Sequence, residues 1–104
     1  MTKQNIELPE NQLADFCRRW LIGEFALFGS VIRDDFDSDS DLDILVQFKP
    51  DANWGLLEHS QMEQKLENLF GRKIDLFSKR AVERSHNWIR RQEILNTAKV
   101  VYAA

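Results

Sequence analysis

One cysteine, two prolines, four glycines and one tyrosine are all that this 104-residue chain holds of those types, and each scarcity closes off a class of protein. Cys17 alone cannot form an intrachain disulfide, so the chain is not a disulfide-stapled secreted scaffold. Its position on the apolar side of a predicted helix marks it as a small core residue. With so little Pro and Gly there is no linker composition, low-complexity tract or internal repeat. No apolar run approaches the length that crosses a membrane, and the opening residues MTKQNIELPE lack a hydrophobic signal core. The expectation is a cytoplasmic protein with no membrane contact. His59 and His86 stand in predicted helices without a metal-ligand partner at suitable spacing. Positive charge is missing from one stretch, residues 34–43, which hold Asp34, Asp35, Asp37, Asp39, Asp41 and Asp43 and no Lys or Arg. The whole chain carries −3 and this stretch −6, so the remainder is mildly basic at +3. An acidic pit on a basic body suits a metal site better than a nucleic-acid surface, and no direct nucleic-acid binding is expected. A solvated acidic turn would have the same composition.

What is present describes one domain spanning residues 1–104, large enough for a single core. Leu13, Phe16, Cys17, Trp20 and Leu21 recur at helical spacing after Pro9, and Gly23 is expected to end that helix. Glu24 to Phe28 reads as a short strand, followed by the Gly29-Ser30 turn. Leu42 to Phe48 reads as a second strand, and its continuous Ile44-Leu45-Val46 run suits a strand covered on both faces. After the PDANWG loop a long helix starts near Leu56, with Gly71 as its C-terminal cap. Lys73 to Phe77 is a third strand, and one last helix is expected over Val82 to Asn96. Val100 to Tyr102 can add a terminal strand. The predicted class is α+β, a small mixed β-sheet packed against about four helices. Trp20 is expected in the core, whereas Trp54, in a loop, could be a contact residue.

Two kinds of chemistry meet between residues 28 and 46. Glycine at a strand end is by itself only a turn signal. Here, though, it would let backbone approach a polyphosphate closely, with the Ser30 hydroxyl and the following N–H groups bonding phosphate oxygens. Asp41 and Asp43 form an Asp-x-Asp pair at the start of the second strand. Side chains at i and i+2 of a strand share a face, and two carboxylates about 4 Å apart repel by about 4 kcal/mol at an effective dielectric near ~20. A cation offsets that cost, and all-oxygen ligation favours Mg²⁺ or Mn²⁺. The plainer alternative is an exposed acidic strand start. Asp75 lies alone among Ile74, Leu76 and Phe77. If strands two and three are neighbours, it completes a three-carboxylate site able to bridge two metal ions. Arg33, one turn beyond Gly29, either reaches the phosphates or pairs with Asp34 or Asp37.

Gly29-Ser30, ten intervening residues and Asp41-Leu42-Asp43 together resemble the signature of the DNA polymerase β-like nucleotidyltransferases. The continuation through a helix to Asp75 is most similar to their minimal nucleotidyltransferase (MNT) branch, and the likeness runs through nearly the whole chain. The resemblance implies a minimal nucleotidyltransferase fold and Mg²⁺ (two ions) held by Asp41 and Asp43. Asp75 would serve as a further ligand or as the base for the incoming hydroxyl. Gly29, Ser30 and Arg33 would bind the nucleotide, with ATP as substrate. It further implies an antitoxin that transfers AMP to a tyrosine hydroxyl of a partner HEPN ribonuclease toxin, in a heteromeric complex. Two rival functions remain: a non-catalytic antitoxin acting by binding, and a small-molecule nucleotidyltransferase whose acceptor site lies on a separate chain.

Overall fold

A computed structural model describes residues 8–32 and 40–104. Helix α1 covers Glu10–Arg19 and strand β1 Ile22–Phe28; a 3-10 turn, Gly29–Ile32, follows directly. Strand β2 is Leu42–Phe48, α2 Leu56–Phe70, β3 Ile74–Ser78, α3 Lys79–Glu83, α4 Trp88–Thr97 and β4 Lys99–Ala103. The sheet order is β3-β2-β1-β4. β1 pairs antiparallel with β2 and with β4, whereas β2 and β3 run parallel. The α+β class and the mixed sheet are as expected.

Strand alternation divides the core between the two faces of this sheet. Phe25, Leu27, Leu42, Ile44, Val46, Ile74 and Leu76 pack with Leu13, Phe16 and Cys17 of α1 and Met62 and Leu66 of α2. Ala26, Phe28 and Leu45 face the other way and meet Val82 of α3 and Ile94 of α4, with Phe77 at the edge. The first face is fully covered. The second is covered only in part, and it is the face to which Asp43 and Asp75 belong by alternation.

Two elements differ from their sequence-based expectation. Gly23 lies inside β1 and does not end α1; the reversal falls at Leu21, a non-glycine residue at φ 57°. The expected single last helix is two. Ser78 Oγ accepts a hydrogen bond from Ala81 N at 3.2 Å, and Asn87 Oδ1 accepts one from Arg90 N at 3.1 Å, so each short helix has its own N-cap. Arg91 Nη1, donating to Ser85 O at 3.0 Å, braces the bend between them. Trp54 is a clasp as well as a surface residue: its indole N–H donates to Trp20 O at 2.8 Å and its ring meets Trp20 edge-on at 5.2 Å. Trp20 is core, as expected, although its Nε1 is buried with no hydrogen-bond partner among the described residues.

Gly71 ends α2 in the left-handed conformation, at φ 69°, a role only glycine fills without strain. Glu63 of α2 reaches the outer edge of β3, where its Oε2 accepts from Leu76 N at 3.1 Å. No helix among the described residues is long and apolar enough to cross a membrane.

Candidate active site

The site is built where β1 and β2 lie side by side. Antiparallel register sets Phe28 opposite Asp43, so the residue after Phe28 must turn immediately over the Asp43 side chain. That residue is Gly29, at φ 75°. A Cβ built there would overlap Asp43 Oδ2 and lie 3.2 Å from its Cγ. Glycine is therefore required twice at this position, for the backbone conformation and for the space that the carboxylate occupies. Ser30 and Val31 continue as a 3-10 turn, with Val31 buried and Ser30 half-buried.

Parallel register across the other side of β2 sets Asp43 beside Asp75. Both are half-buried, both are the second residue of their strands, and both share the partly covered face. Asp41 stands one residue ahead of β2 and is half-buried. The entry to β2 is fixed from β3: Leu42 N donates to Lys73 O at 2.9 Å, and Arg72 Nη1 donates to Ser40 O at 3.0 Å. The condition set by the sequence, that strands two and three be neighbours, is thus met. Arg72 is not singled out by any motif of the sequence, yet it helps hold the aspartate segment. Its place just after the Gly71 cap, at the mouth of β3, is the signal that could have found it.

Of the predicted site residues, Gly29, Asp43 and Asp75 are brought together by strand register, with Ser30 and Asp41 adjoining them in sequence. Arg33 lies outside the described residues, as do Asp34, Asp35, Asp37 and Asp39. Among the described residues no three Asp, Glu, His or Cys side chains are gathered tightly enough to hold a metal ion. The donor chemistry still suits a hard cation, since hard carboxylate oxygens share one face beside a glycine with no side chain to block it.

A cleft of about 380 Å³ opens between the 3-10 turn and α4, with Phe28, Gly29 and Ile32 on one side and Arg90, Ile94 and Thr97 on the other. A larger groove of about 800 Å³ lies at the opposite ends of β2 and β3, between Trp54, His59 and Lys79. It is remote from the aspartates. Cys17 takes no part in either: burial pushes its thiol up to about 12, with Arg18 pulling weakly the other way.

This arrangement agrees with what the chain is similar to. The Nucleotidyltransferase domain family model matches residues 10–101. The chain belongs to the nucleotidyltransferase domain family. It is 37% identical over 65 residues to protein adenylyltransferase MntA of Thermococcus cleftensis, covering 62% of this chain and 64% of that protein. The chain thus matches somewhat less than two thirds of that relative's length. A solved structure named for a minimal nucleotidyltransferase has 32% identity and a TM-score of 0.65, covering 85% of this chain and 84% of that one. A toxin–antitoxin crystal structure with AMP-PNP shares the fold at a TM-score of 0.71 and 22% identity, over 93% of this chain and 75% of that one. A complex of tri-AMPylated Shewanella oneidensis HEPN toxin with MNT antitoxin does so at 0.62 and 22% identity, over 91% and 70%.

Proposed function

We propose that this chain is a Mg²⁺-dependent adenylyltransferase that transfers AMP from ATP to a tyrosine hydroxyl of a HEPN-type toxin, and so acts as its antitoxin. The observation that carries the reading is the meeting of Gly29, Asp43 and Asp75 by strand register, in a chain matched by the nucleotidyltransferase family over residues 10–101. The solved relatives supply the class of acceptor, since one holds an AMPylated HEPN toxin.

In this reading Gly29 lets the backbone approach the triphosphate, and Ser30 donates its hydroxyl to a phosphate oxygen. Asp41 and Asp43 hold Mg²⁺, with Asp75 as a further ligand or as the base. Arg33 assists with the phosphates. When bound, the ion neutralises charge on the phosphates. The acceptor oxygen attacks the α-phosphorus, the bond from that phosphorus to the bridging oxygen breaks, and pyrophosphate leaves. The hydroxyl proton passes to the Asp75 carboxylate where that residue is the base.

A binding-only antitoxin is the second reading, in which the chain neutralises its partner by forming a complex without transferring AMP. One experiment separates the two. The chain is incubated with ATP labelled at the α-phosphate, Mg²⁺ and the HEPN-type protein encoded beside it. Label on that protein supports adenylyl transfer, and a stable complex without label supports the binding-only reading. With neither, a separate small-molecule acceptor becomes the reading to pursue.

A further inference from the structure

The larger groove, of about 800 Å³, lies at the far ends of β2 and β3 and has no part in the catalytic reading. Its two sides differ in chemistry. From α2 come Leu56, His59 and Met62, one residue in every three, a spacing that sets them along one side of the helix over about 9 Å. Phe48 and Trp54 add aromatic surface. Leu56 is 91% exposed, an apolar side chain left in water at the edge of an apolar groove. From α3 come Lys79, Arg80 and Glu83, and Lys49 adds a further cation from the loop after β2. Among the lining residues three cations thus stand against one carboxylate, in a chain whose net charge is −3. None of Lys49, Lys79 and Arg80 has an ion-pair partner among the described residues. Asp51 and Glu58 are near in sequence but lie off the lining, and Glu58 is engaged in capping α2, its Oε1 accepting from Gly55 N at 2.7 Å.

We propose that this groove docks an amphipathic helix of a partner protein, with an apolar stripe set against α2 and an acidic stripe against α3. Charge and backbone each narrow the occupant. Two copies of this chain set groove to groove would bring their unpaired cations together, which disfavours a second copy. An added β-strand is disfavoured as well. It would need the outward N–H of Leu76 on the β3 edge, and that group already donates to Glu63 Oε2 at 3.1 Å. A helix satisfies its own backbone and asks only for side-chain contacts. Apolar residues at i, i+3 or i+4, and i+7 would meet Phe48, Trp54 and Leu56. Glutamates or aspartates on the flank would meet Lys79 and Arg80, and exposed cations of this kind select a partner of opposite charge. The aspartates lie at the other ends of the same strands, so a helix docked here leaves Asp43 and Asp75 uncovered.

The test uses a synthetic peptide of about 15 residues, long enough to form a helix, with leucines on one face and glutamates on the other. Two controls accompany it: the same residues in scrambled order, and the peptide with lysine in place of every glutamate. Fluorescence anisotropy reads binding to the wild-type chain, to the double variant Lys79→Glu/Arg80→Glu and to Leu56→Ser, and thermal melting checks each fold. The acidic peptide should bind the wild-type chain, shift the Leu56 methyl and Trp54 indole resonances, and leave the Asp43 and Asp75 amides in place. The double variant should bind it about tenfold more weakly and should bind the lysine peptide more tightly than the wild type does. Leu56→Ser, at a position too exposed to disturb the core, should also weaken the acidic peptide. Equal binding of the scrambled peptide would reduce the groove to a general anion surface and overturn the proposal. No binding of the acidic peptide, or shifts away from the groove, would overturn it too. Groove resonances that move with protein concentration alone, alongside a dimer in sedimentation, would assign the groove to a second copy instead. None of these readouts involves nucleotide, so their failure leaves the adenylyl-transfer reading standing.

Discussion

Replacing Gly29 by alanine tests the core of the site, because the structure separates two costs that usually come together. A Cβ on a residue held in the left-handed region costs about 1–2 kcal/mol. Gly71 isolates that cost: its φ is 69° and nothing lies within 4 Å of an added Cβ. Gly29 has nearly the same angle, 75°, but its Cβ would overlap the Asp43 carboxylate. Forcing a side chain aside in a packed site adds about 1–3 kcal/mol. Gly29→Ala should therefore destabilise the fold by about 2–5 kcal/mol and Gly71→Ala by about 1–2 kcal/mol. The difference should lower the melting temperature by roughly a further 10 °C in a domain of this size. The double variant with Asp43→Ala closes the argument. The Asp43 Cβ would remain 3.5 Å from the new Cβ, an ordinary contact, so Gly29→Ala should cost no more in that background than Gly71→Ala does. Urea denaturation of the four variants and the wild type measures all these terms. Equal costs for Gly29→Ala and Gly71→Ala, or no coupling to Asp43→Ala, would refute the close approach of glycine and carboxylate.

Four further outcomes are expected. Mg-ATP at a hundredfold excess over its dissociation constant should stabilise the native state by about 2.7 kcal/mol; an equal thermal shift with ATP in EDTA would speak against metal-bridged binding. Asp43→Asn should abolish adenylyl transfer while the complex with the HEPN-type partner persists, both read on one preparation; wild-type transfer would remove Asp43 from the mechanism. Asn87→Ala removes the cap on Arg90 N and should cost about 1 kcal/mol, visible as a lower urea midpoint with the slope unchanged. The Cys17 thiol is raised from its ordinary 9.0 to about 12 by burial, so above pH 9 the unfolded chain loses its proton first. Stability should then decline as pH rises toward 12, and a stability profile for Cys17→Ala with the same slope over that window would contradict it.

Much of this architecture was legible because its signals are local. Leu13, Phe16 and Cys17 at helical spacing announced α1, and Gly71 announced the end of α2. The apolar run Ile44-Leu45-Val46 announced a covered strand. The misses have physical causes too. Leu21 takes a left-handed turn that its side chain disfavours, so Gly23 was the natural residue on which to end α1. The split of the last helix turns on the Ser78 and Asn87 caps, each a local hydrogen bond competing with a run that could otherwise continue. For the site, the sequence named Gly29, Asp43 and Asp75, but their adjacency depends on strand register. Arg72 was hidden because its contact with Ser40 joins segments that meet only in the folded chain.

The pairing of Phe28 with Asp43 has a consequence for variation. The two residues that must nearly touch, Gly29 and Asp43, are held by the ladder between β1 and β2, whose rungs run from Ile22 opposite Phe48 down to the site itself. The number of residues in the connection is therefore a secondary matter. A chain lengthened or shortened between Ile32 and Ser40 can keep the glycine over the carboxylate, provided the rungs stay in step. A slip of one rung, by contrast, would turn Asp43 to the α1–α2 side and expose the isoleucine beside it. The same ladder that buries the core also sets the spacing of the site, so a register defect would cost stability and chemistry in a single event.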